Sequence, residues 1–400
     1  MIAKMVRGKK TILKRRKNLR RITKSTPDKT LLFLILGLSI FGLLMVYSSS
    51  FITVKDNPFY FFFRQSIYII IGLICCFFVY IIDYKQYPKY IAIGLGISIL
   101  LLILVLIPGI GKTINGATRW IDLKLFDLQP SELTKLTFLI YLAAWTSKQK
   151  SQTKNVDIEK YLKKDLIPFI TILTLISLLI LLEPDLATTG IIGLTSLAVY
   201  FLSGRDYLHN IGTAFILVIL ILFGIFAAIL APYRYKRVNT YKDFLITGEV
   251  QDPKGTGYQL QNILIAVGSG GLFGVGFGES RQKFHYLGQT AFSDNIFAVI
   301  AEEFGLVGSL ILTSIYFYIL FRGLKIAEKV PDRFGRLLSS GIVIWITLQA
   351  FLHIGANIGL IPVTGIPLPF ISYGGSSTVT IFIALGILLN ISRQANLNNR

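Results

Sequence analysis

The chain has few of the residues that build disulfide frameworks and metal sites. Its 400 residues include only two cysteines and three histidines. Cys75 and Cys76 are adjacent within an apolar stretch, so they cannot connect distant elements and lack metal-ligand spacing. The histidines form no ligand-like pair, which argues against a structural zinc site. We therefore interpret both cysteines as apolar filler within a helix.

Acidic residues are also scarce, with 21 Asp and Glu against 41 Lys and Arg and a formal net charge of +20. Such an excess is typical of nucleic-acid binding, but most of it lies in residues 1–29 and in short connections. No aromatic-interleaved groove or recognition module accompanies it. We expect no nucleic-acid partner. The basic tail instead contacts anionic membrane lipids or controls topology.

What the chain has in abundance is long apolar runs, with 53% hydrophobic residues and a mean hydropathy of +0.63. Each run is long enough to cross a hydrocarbon core of ~30 Å. We predict an all-α polytopic membrane protein of about ten transmembrane helices. The predicted spans are 30–47, 59–82, 90–107, 131–147, 166–182, 186–203, 210–231, 293–321, 337–360 and 376–391.

The predicted spans define one domain, residues 30–391, between a basic tail at 1–29 and a second tail at 392–400. Most Lys and Arg residues fall in the first tail and in connections on the same side, so both termini are predicted to be cytoplasmic. Removal of the first run as a signal peptide is not expected, because it is too long and more spans follow.

A long polar segment, residues 232–292, forms a large outer loop between the seventh and eighth spans. Irregular backbone at membrane depth is tolerated only where it is buried in protein or lines a watery cavity. Within it, GSGGLFGVGFG (268–278) resembles a phosphate-binding loop but lacks the flanking strand and helix. We expect a re-entrant or close-packed backbone, whose amides would still be able to hold an anionic oxygen.

Polar side chains also recur within the spans at helical spacing. Glu132 and Lys135 are three residues apart, and either neutralise each other on one helix face or line a pathway. Gln349, His353 and Asn357 form a stripe along one side of the ninth span. We favour hydrogen bonding between helices as the role of that stripe.

Acidic residues gather at the predicted outer side. Glu183 and Asp185 flank Pro184 in a turn, where they are either solvated caps or groups that position a cation or a basic residue. Asp294 stands where the eighth span begins, and a carboxylate there is a candidate for function as well as for helix capping. On a continuous helix Glu302 would lie about 12 Å from Asp294 on the same face.

Basic residues complete this outer set: Arg119, Lys124, Arg234, Arg237, Arg281 and Lys283. Outer cations around a cavity that contains acids suit an amphipathic anion, such as a lipid phosphate head group. They do not suit a cation channel, which uses acidic rings.

Together these segments closely resemble the SEDS family (shape, elongation, division and sporulation) of membrane peptidoglycan glycosyltransferases, which includes FtsW, RodA and SpoVE. The matching segments run in family order: MVYSSS (45–50), GATRW (116–120), QPSELTK (129–135), EPDLATT (183–189), GYQLQNILIAVGSGGLFGVGFG (257–278), DNIFAVIAEEFG (294–305) and PVTGIPLPFISYGGSS (362–377). Four segments are more similar to FtsW than to RodA: the basic tail, the MVYS ending of the first span, YRYKRV (233–238) and QKFHYL (282–287).

The resemblance implies a polymerase of lipid II that works at the septal cytoplasmic membrane with a class B penicillin-binding protein and other divisome proteins. It implies a catalytic role for Asp294. It also implies substrate-binding positions around the cavity: Arg119, Glu132, Lys135, Glu183, Lys283 and Glu302. Two departures are visible: residues 288–293 (GQTAFS) differ from the family's usual approach to this aspartate, and EPDLA replaces EPDLG.

The implied reaction is an inverting glycosyl transfer, in which Asp294 removes a proton from the attacking sugar hydroxyl. Arg119, Lys135 and Lys283 would hold the diphosphate or the peptide-bearing head group. No nucleotide or redox cofactor is required, and a divalent cation is left open. Three alternatives stay open as well: a lipid II flippase, which often shows an internal repeat absent here, a RodA-type elongation polymerase, and a non-enzymic divisome scaffold.

Overall fold

The computed structural model describes residues 26–51, 53, 57–114, 116–124, 126–149, 158–204, 207–230, 232–252 and 254–397. The predicted basic tail therefore lies mostly outside the described residues. The helices are α1 Lys29–Ser50, α2 Tyr60–Ile81, α3 Tyr87–Val105, α4 Pro130–Lys148, α5 Ile158–Tyr161, α6 Ile167–Leu182, α7 Leu186–Leu202, α8 Tyr207–Leu230, α9 Pro232–Thr247, α10 Tyr258–Ser269, α11 Gln282–His285, α12 Ile296–Glu328, α13 Arg333–Asn357 and α14 Gly375–Leu397. A π-helical stretch, Leu162–Leu166, joins α5 to α6.

Within the described residues, eight helices are long and apolar enough to cross a membrane. Two further helices coincide with predicted spans. One is α7, apolar but shorter, and the other is α4, which carries Glu132 and Lys135 among its buried residues. The all-α multi-pass prediction is confirmed, whereas the count of ten spans stays a prediction.

The core of the bundle is built around α13 and α14. In each of them 78% of the most apolar window is buried, against 22% in α2, α3, α8 and α12. Helices α2 and α14 approach each other so closely that glycine is needed on both. A Cβ at Gly72 of α2 would lie 2.8 Å from Phe382, and one at Gly386 of α14 would lie 2.5 Å from the Cys76 carbonyl oxygen. The outer helices present Leu, Ile and Phe outward, as lipid-facing helices do.

A short antiparallel sheet between α3 and α4 is an exception to the all-α prediction. Its strands are β1 Gly111–Ile114, β2 Ala117–Asp122 and β3 Asp127–Leu128, in the order β1-β2-β3. Because β2 pairs on both sides, the backbone of the GATRW segment is fixed by both neighbours. Ser376 at the start of α14 ties the sheet to the core, with its hydroxyl donating to the Asp127 carbonyl (3.0 Å).

The long polar segment is more regular than predicted, because it contains α9, α10 and α11. The glycines after α10 form what we call the glycine hairpin, residues 270–278, which packs against α12. A Cβ at Gly270 would lie 2.0 Å from the Ala301 carbonyl oxygen, and one at Gly274 would lie 2.1 Å from that of Glu303. The close-packed backbone predicted for this cluster is therefore confirmed, and side chains at these two positions are excluded.

Helix α12 is interrupted where it meets the glycine hairpin. Gly305 adopts φ 66° and ψ −164°, so residues 296–304 and 306–328 form two helical pieces. The amides of Leu306 and Val307 donate to the carbonyls of Gly271 (2.9 Å) and Leu272 (3.1 Å) instead of to the preceding turn. The eighth span is thus not one continuous helix, contrary to the sequence prediction.

At the opposite end of the bundle, Asp28 fixes the start of α1. Its carboxylate accepts a hydrogen bond from the Leu31 amide (2.9 Å) and forms an ion pair with Arg322 of α12 (2.8 Å). Its amide donates to the Ser392 hydroxyl of α14 (3.0 Å). Three helices are therefore held in register at this end.

Candidate active site

Asp294 lies two residues before α12 begins, in a segment whose backbone is held at three successive carbonyls. These bonds run from the Tyr373 amide to Phe292 (2.9 Å), from Ser372 Oγ to Ser293 (2.7 Å) and from Asn357 Nδ2 to Asp294 (3.1 Å). The cap position is Asn295, which makes no side-chain cap hydrogen bond within the described residues. The capping interpretation of Asp294 is therefore wrong, and its carboxylate is available for another role.

The non-helical segment between α13 and α14 covers this carboxylate. Gly365 has φ +70°, and a Cβ built on it would lie 3.6 Å from Asp294 Oδ2. This left-handed conformation favours glycine, and it brings the main chain close to the carboxylate. The segment therefore forms one wall of the site.

The polar stripe of α13 holds that wall in place. Gln349 Nε2 donates to the Pro367 carbonyl (2.9 Å), and His353 Nδ1 lies 2.7 Å from the Ile366 carbonyl. Asn357 completes the row by binding the Asp294 carbonyl. The predicted hydrogen-bonding stripe is confirmed, but its partners in these bonds are carbonyls of non-helical segments rather than another helix. Those carbonyls have no helical partner and so need side-chain donors.

Arg119 projects from β2 toward the turn between α6 and α7. Its Nε donates to the Glu183 carbonyl (2.9 Å) and its Nη2 to the Pro184 carbonyl. Nη1 lies 3.9 Å from Asp185 Oδ2, and the Arg119 side chain stays 23% exposed. The turn therefore fixes Arg119 through two main-chain carbonyls, and of the two acids only Asp185 brings its carboxylate near the guanidinium.

The two acids of this turn have different environments. Asp185 caps α7, with its carboxylate accepting from the Thr188 amide (3.0 Å) and hydroxyl (2.9 Å). Both carboxyl oxygens of Glu183 are buried and have no hydrogen-bond partner among the described residues. Burial, reinforced by the negative charge of Asp185 and opposed by Arg119, raises the pKa of Glu183 to about 9. Glu183 is therefore neutral at pH 7.

Asp294 is half-buried as a residue, and the protein around its carboxyl removes much of the hydration of that group. Burial raises the pKa of Asp294, and the negative charge of Asp185 adds to this. The positive charges of Arg119 and Arg237 and a hydrogen bond from Ser293 act in the opposite direction. The group is thus a stronger proton acceptor than an ordinary aspartate and lies within the fields of two arginines.

Arg237 reaches this region from α9. Its Nη2 donates to Gln259 Oε1 of α10 (3.2 Å), and Gln259 Nε2 donates to Asn295 Oδ1 (3.4 Å). Asn295 in turn donates to Thr290 Oγ1 (2.7 Å). A chain of side chains therefore links the long polar segment to the residue that follows Asp294.

Glu132 and Lys135 form a separate buried cluster in α4. Lys135 Nζ lies 2.7 Å from Glu132 Oε1, with both side chains 2% exposed, and it also donates to Gln349 Oε1 (3.1 Å). Trp345 Nε1 donates to the same oxygen (3.0 Å). The pairing predicted from spacing is confirmed, and Gln349 connects the pair to the wall beside Asp294.

Lys283 occupies a third cluster at the end of α1. Its Nζ lies 2.7 Å from Glu303 Oε1, with side chains 1% and 0% exposed. The same Nζ donates to Ser48 Oγ (3.1 Å) and to the Gly278 carbonyl (2.8 Å), and Ser48 Oγ donates to Glu303 Oε1 (2.6 Å). The charge of Lys283 is therefore largely satisfied inside the protein.

Glu302 shapes the loop that carries Lys283. Its carboxylate accepts hydrogen bonds from the Ser280 hydroxyl and from the Arg281 amide (2.8 Å). This places Glu302 under residues 280–282. The predicted 12 Å alignment on one helix face is wrong because α12 begins only at Ile296.

The seven predicted site residues thus fall into three groups. Arg119 acts on Asp294 through its charge and is bound by the carbonyl of Glu183. Glu132 with Lys135, and Lys283 with Glu302, belong to the two buried clusters. Sequence reasoning assigned no role to Ser48 or Glu303, although they stand in matched motifs (MVYSSS and AEEFG). The described residues contain no group of three or more His, Cys, Asp or Glu side chains able to hold a metal ion.

Comparisons with known proteins show the family to which the chain belongs. The sequence profile of the family that comprises FtsW, RodA and SpoVE, described as cell cycle proteins, matches residues 29–397. Stage V sporulation protein E of Bacillus subtilis is 39% identical over 377 residues, covering 93% of this chain and 98% of that protein. The probable peptidoglycan glycosyltransferase FtsW of Nitrosomonas europaea is 39% identical over 378 residues, covering 92% of each.

Solved structures share the fold. A chain from work on the structural coordination of polymerization and crosslinking by a peptidoglycan synthase complex superposes with a TM-score of 0.74 at 27% identity, covering 92% of this chain and 98% of that one. The rod shape determining protein RodA of Thermus thermophilus superposes with a TM-score of 0.66 at 27% identity, covering 92% and 97%. This chain is therefore a multi-pass membrane protein that belongs to the FtsW, RodA and SpoVE family of cell cycle proteins.

Proposed function

We propose that this chain is a peptidoglycan glycosyltransferase that polymerises lipid II into glycan strands. The observation that carries the proposal is the placement of half-buried Asp294 beside Gly365 and within the fields of Arg119 and Arg237. Relatives of nearly equal length bear the name peptidoglycan glycosyltransferase. A base and a nearby pair of cations are the groups that glycosyl transfer from a diphosphate donor requires.

In the proposed reaction, the hydroxyl oxygen of one lipid-linked disaccharide attacks the anomeric carbon of another. The bond from that carbon to the diphosphate oxygen breaks, and polyprenyl diphosphate leaves with the bonding electrons. Asp294 accepts the hydroxyl proton. Attack from the face opposite the leaving group inverts the configuration at the anomeric carbon.

Arg119 and Arg237 are assigned to the negative charge that develops on the departing diphosphate. Arg119 is fixed by the 183–185 turn and still 23% exposed, so it is able to meet a ligand without losing its backbone contacts. Lys135 and Lys283 already have buried carboxylate partners. We therefore assign these lysines to supporting the site, and substrate contact by them, by Glu132 and by Glu302 stays a prediction.

The relation to a peptidoglycan synthase complex supports a penicillin-binding protein of class B as a partner. With the more FtsW-like motifs, it also supports work with the divisome at the division septum. Both termini are placed in the cytoplasm on the basis of the Lys and Arg distribution. Labelling of intact cells with a membrane-impermeant thiol reagent tests this orientation. A Lys124→Cys variant should react, because position 124 is predicted to lie outside. A Lys85→Cys variant should not react, because position 85 is predicted to lie in the cytoplasm.

The direct test uses purified protein in vesicles that carry lipid II only in the outer leaflet, with and without the partner. The wild type should form glycan chains, and Asp294→Asn should form none while its thermal unfolding is unchanged. Glycan synthesis by that variant would remove Asp294 from the role of base. Transbilayer movement of lipid II without glycan formation by the wild type would instead identify a flippase. Adding and chelating Mg²⁺ in the same assay measures any need for a divalent cation.

A further inference from the structure

The glycine hairpin presents an apolar surface that the proposed reaction does not use. Its four large apolar side chains are all exposed: Leu272 62%, Phe273 81%, Val275 42% and Phe277 49%. They occupy the short non-helical stretch between the end of α10 and the start of α11. An apolar cluster of this kind on a protein indicates a contact with lipid or with another protein.

The depth of this cluster follows from its contacts with α1. The ring of Phe277 lies tilted beside that of Phe304, with centroids 6.4 Å apart, and Phe304 packs against Phe41 at 5.7 Å. Phe41 lies 13 residues beyond Asp28, or about 20 Å along the helix. Ser48, near the other end of α1, lies about 30 Å from Asp28. Phe277 is therefore connected to the first span at two levels: to Phe41 through Phe304, and to Ser48 through the neighbouring Gly278 and Lys283.

The backbone of the glycine hairpin is suited to that depth. The amides of Val275 and Gly276 donate to the carbonyls of Glu302 (3.0 Å) and Glu303 (3.1 Å). The amide of Gly274 donates to the Gly270 carbonyl (2.8 Å). The two amides freed at the Gly305 break are satisfied by the hairpin in return. These paired amides reduce the cost of placing this non-helical backbone near lipid, where an unsatisfied backbone group is expensive.

The apolar cluster also continues a lipid-facing surface. Just beyond the Gly305 break, α12 exposes Leu306 (51%), Leu310 (57%) and Ile311 (58%) on the surface that faces away from the bundle. On the opposite side of the cluster, Glu279 and Arg281 are exposed. An apolar turn that is bordered by lipid-facing helix on one side and by charged residues on the other has the arrangement of a segment crossing the membrane interface.

We propose that the glycine hairpin is a re-entrant wedge inserted into the leaflet on the Asp294 side of the membrane, with Leu272, Phe273, Val275 and Phe277 in contact with lipid acyl chains. The wedge is joined to the loop near the site, because the Gly278 carbonyl accepts from Lys283 Nζ (2.8 Å). Glu302 binds the next residues through the Arg281 amide. Insertion therefore holds residues 280–283 at a set depth relative to the bilayer surface.

The test measures the depth of nitroxide labels at single cysteines. In a Cys75→Ala, Cys76→Ala background, Phe273→Cys is compared with two reference positions, one on the exposed apolar surface of a spanning helix and one in a turn of the sheet. Leu310→Cys lies on the lipid-facing side of α12, and Leu123→Cys lies in the turn after β2 and is 44% exposed. The labelled full-length proteins are placed in vesicles of phosphatidylethanolamine and phosphatidylglycerol. Collision rates with oxygen, which partitions into lipid, and with a water-soluble nickel chelate are measured by electron paramagnetic resonance.

The measured quantity is the ratio of oxygen collisions to nickel collisions. At position 273 this ratio should equal the ratio at position 310 and exceed the ratio at position 123 several-fold. A ratio equal to that at 123 would place the hairpin in water and overturn the proposal. A label immobile and shielded from both reagents would mean that protein covers the hairpin, which also overturns it. Should the Phe273→Cys protein fail to fold, Val275→Cys gives the same readout. The collision measurements do not depend on glycosyltransferase activity, so they test the wedge separately from the proposed function.

Discussion

The side-chain amide of Asn357 donates a hydrogen bond of 3.1 Å to the main-chain carbonyl of Asp294. The two residues are 63 positions apart, and the bond joins the end of α13 to the start of the segment that carries the proposed base. Asn357 is buried, 1% exposed. A residue in the ninth span therefore sets where the carboxylate stands.

From this bond we predict that Asn357→Leu lowers the turnover number for glycan synthesis by about 10- to 100-fold, because small misplacements of a reacting group are costly. The KM for lipid II should change little, since Asn357 does not face substrate. A polymerisation assay on purified protein measures both. Asn390→Leu is the matched control: it removes a buried bond to the Tyr80 carbonyl (2.6 Å). A loss of turnover equal in the two variants would contradict a positioning role.

The pH dependence of the reaction should report the field around Asp294. Its carboxyl must be deprotonated to act as a base, so activity should fall as the pH drops through its raised pKa. Arg237 lowers that pKa, so Arg237→Gln should raise it and move the acid limb of the kcat/KM profile to higher pH. Arg281→Gln, which removes an exposed charge from the same polar segment, is the control. An unmoved acid limb in Arg237→Gln would mean that the limb belongs to another group.

The buried pair of Lys283 and Glu303 should contribute to stability in a strongly coupled way. Either Lys283→Met or Glu303→Leu alone leaves a buried charge without its partner and should cost about 3–5 kcal/mol. The double variant should recover most of that loss. Thermal unfolding of all four proteins in the same vesicles completes the cycle. Additive losses in the double variant would show that the two charges do not depend on each other.

Glu183 should make the protein less stable as the pH rises. Its folded pKa of about 9 lies above the ordinary value of 4.5, so the folded state favours the protonated form. The stabilising effect of that proton is complete below about pH 4.5 and is lost as the pH rises through 9.

Glu183→Gln keeps the neutral shape and should therefore flatten the dependence of the unfolding temperature on pH between these values. At pH 8 the variant should be more stable than the wild type. Glu159→Gln, at an exposed ion pair with Lys163, is the control and should show no such change. An unaltered profile in Glu183→Gln would mean that this carboxyl is ionised in the folded protein.

Much of this arrangement could be predicted from spacing alone. Glu132 and Lys135 pair as their three-residue separation predicts, because on a helix such residues share a face. Gln349, His353 and Asn357 likewise act together. The helical repeat is sufficient to predict which side chains lie together when all of them belong to one helix.

The partners of Glu302 and Glu303 could not be predicted in the same way. The two acids are adjacent, yet one binds the 280–282 backbone and the other Lys283 and Ser48. Their assignment depends on how the glycine hairpin packs at the Gly305 break, a contact between distant segments. The residue at which α12 begins could not be predicted either, because Asp294 and Asn295 are both good helix-cap residues. The backbone conformation there is set by hydrogen bonds from α13 and from residues 372–373.

The paired strands also constrain how the site is able to move. Arg119 sits on β2, locked between β1 and β3, and Asp294 is anchored through its own carbonyl. The spacing between these two charges is thus built into the main chain. Arg237 extends from a surface helix by a long, flexible side chain, so adjustment to donors of different head-group size falls mainly to it. Tolerance toward altered substrates should consequently follow changes at position 237 more closely than changes at position 119.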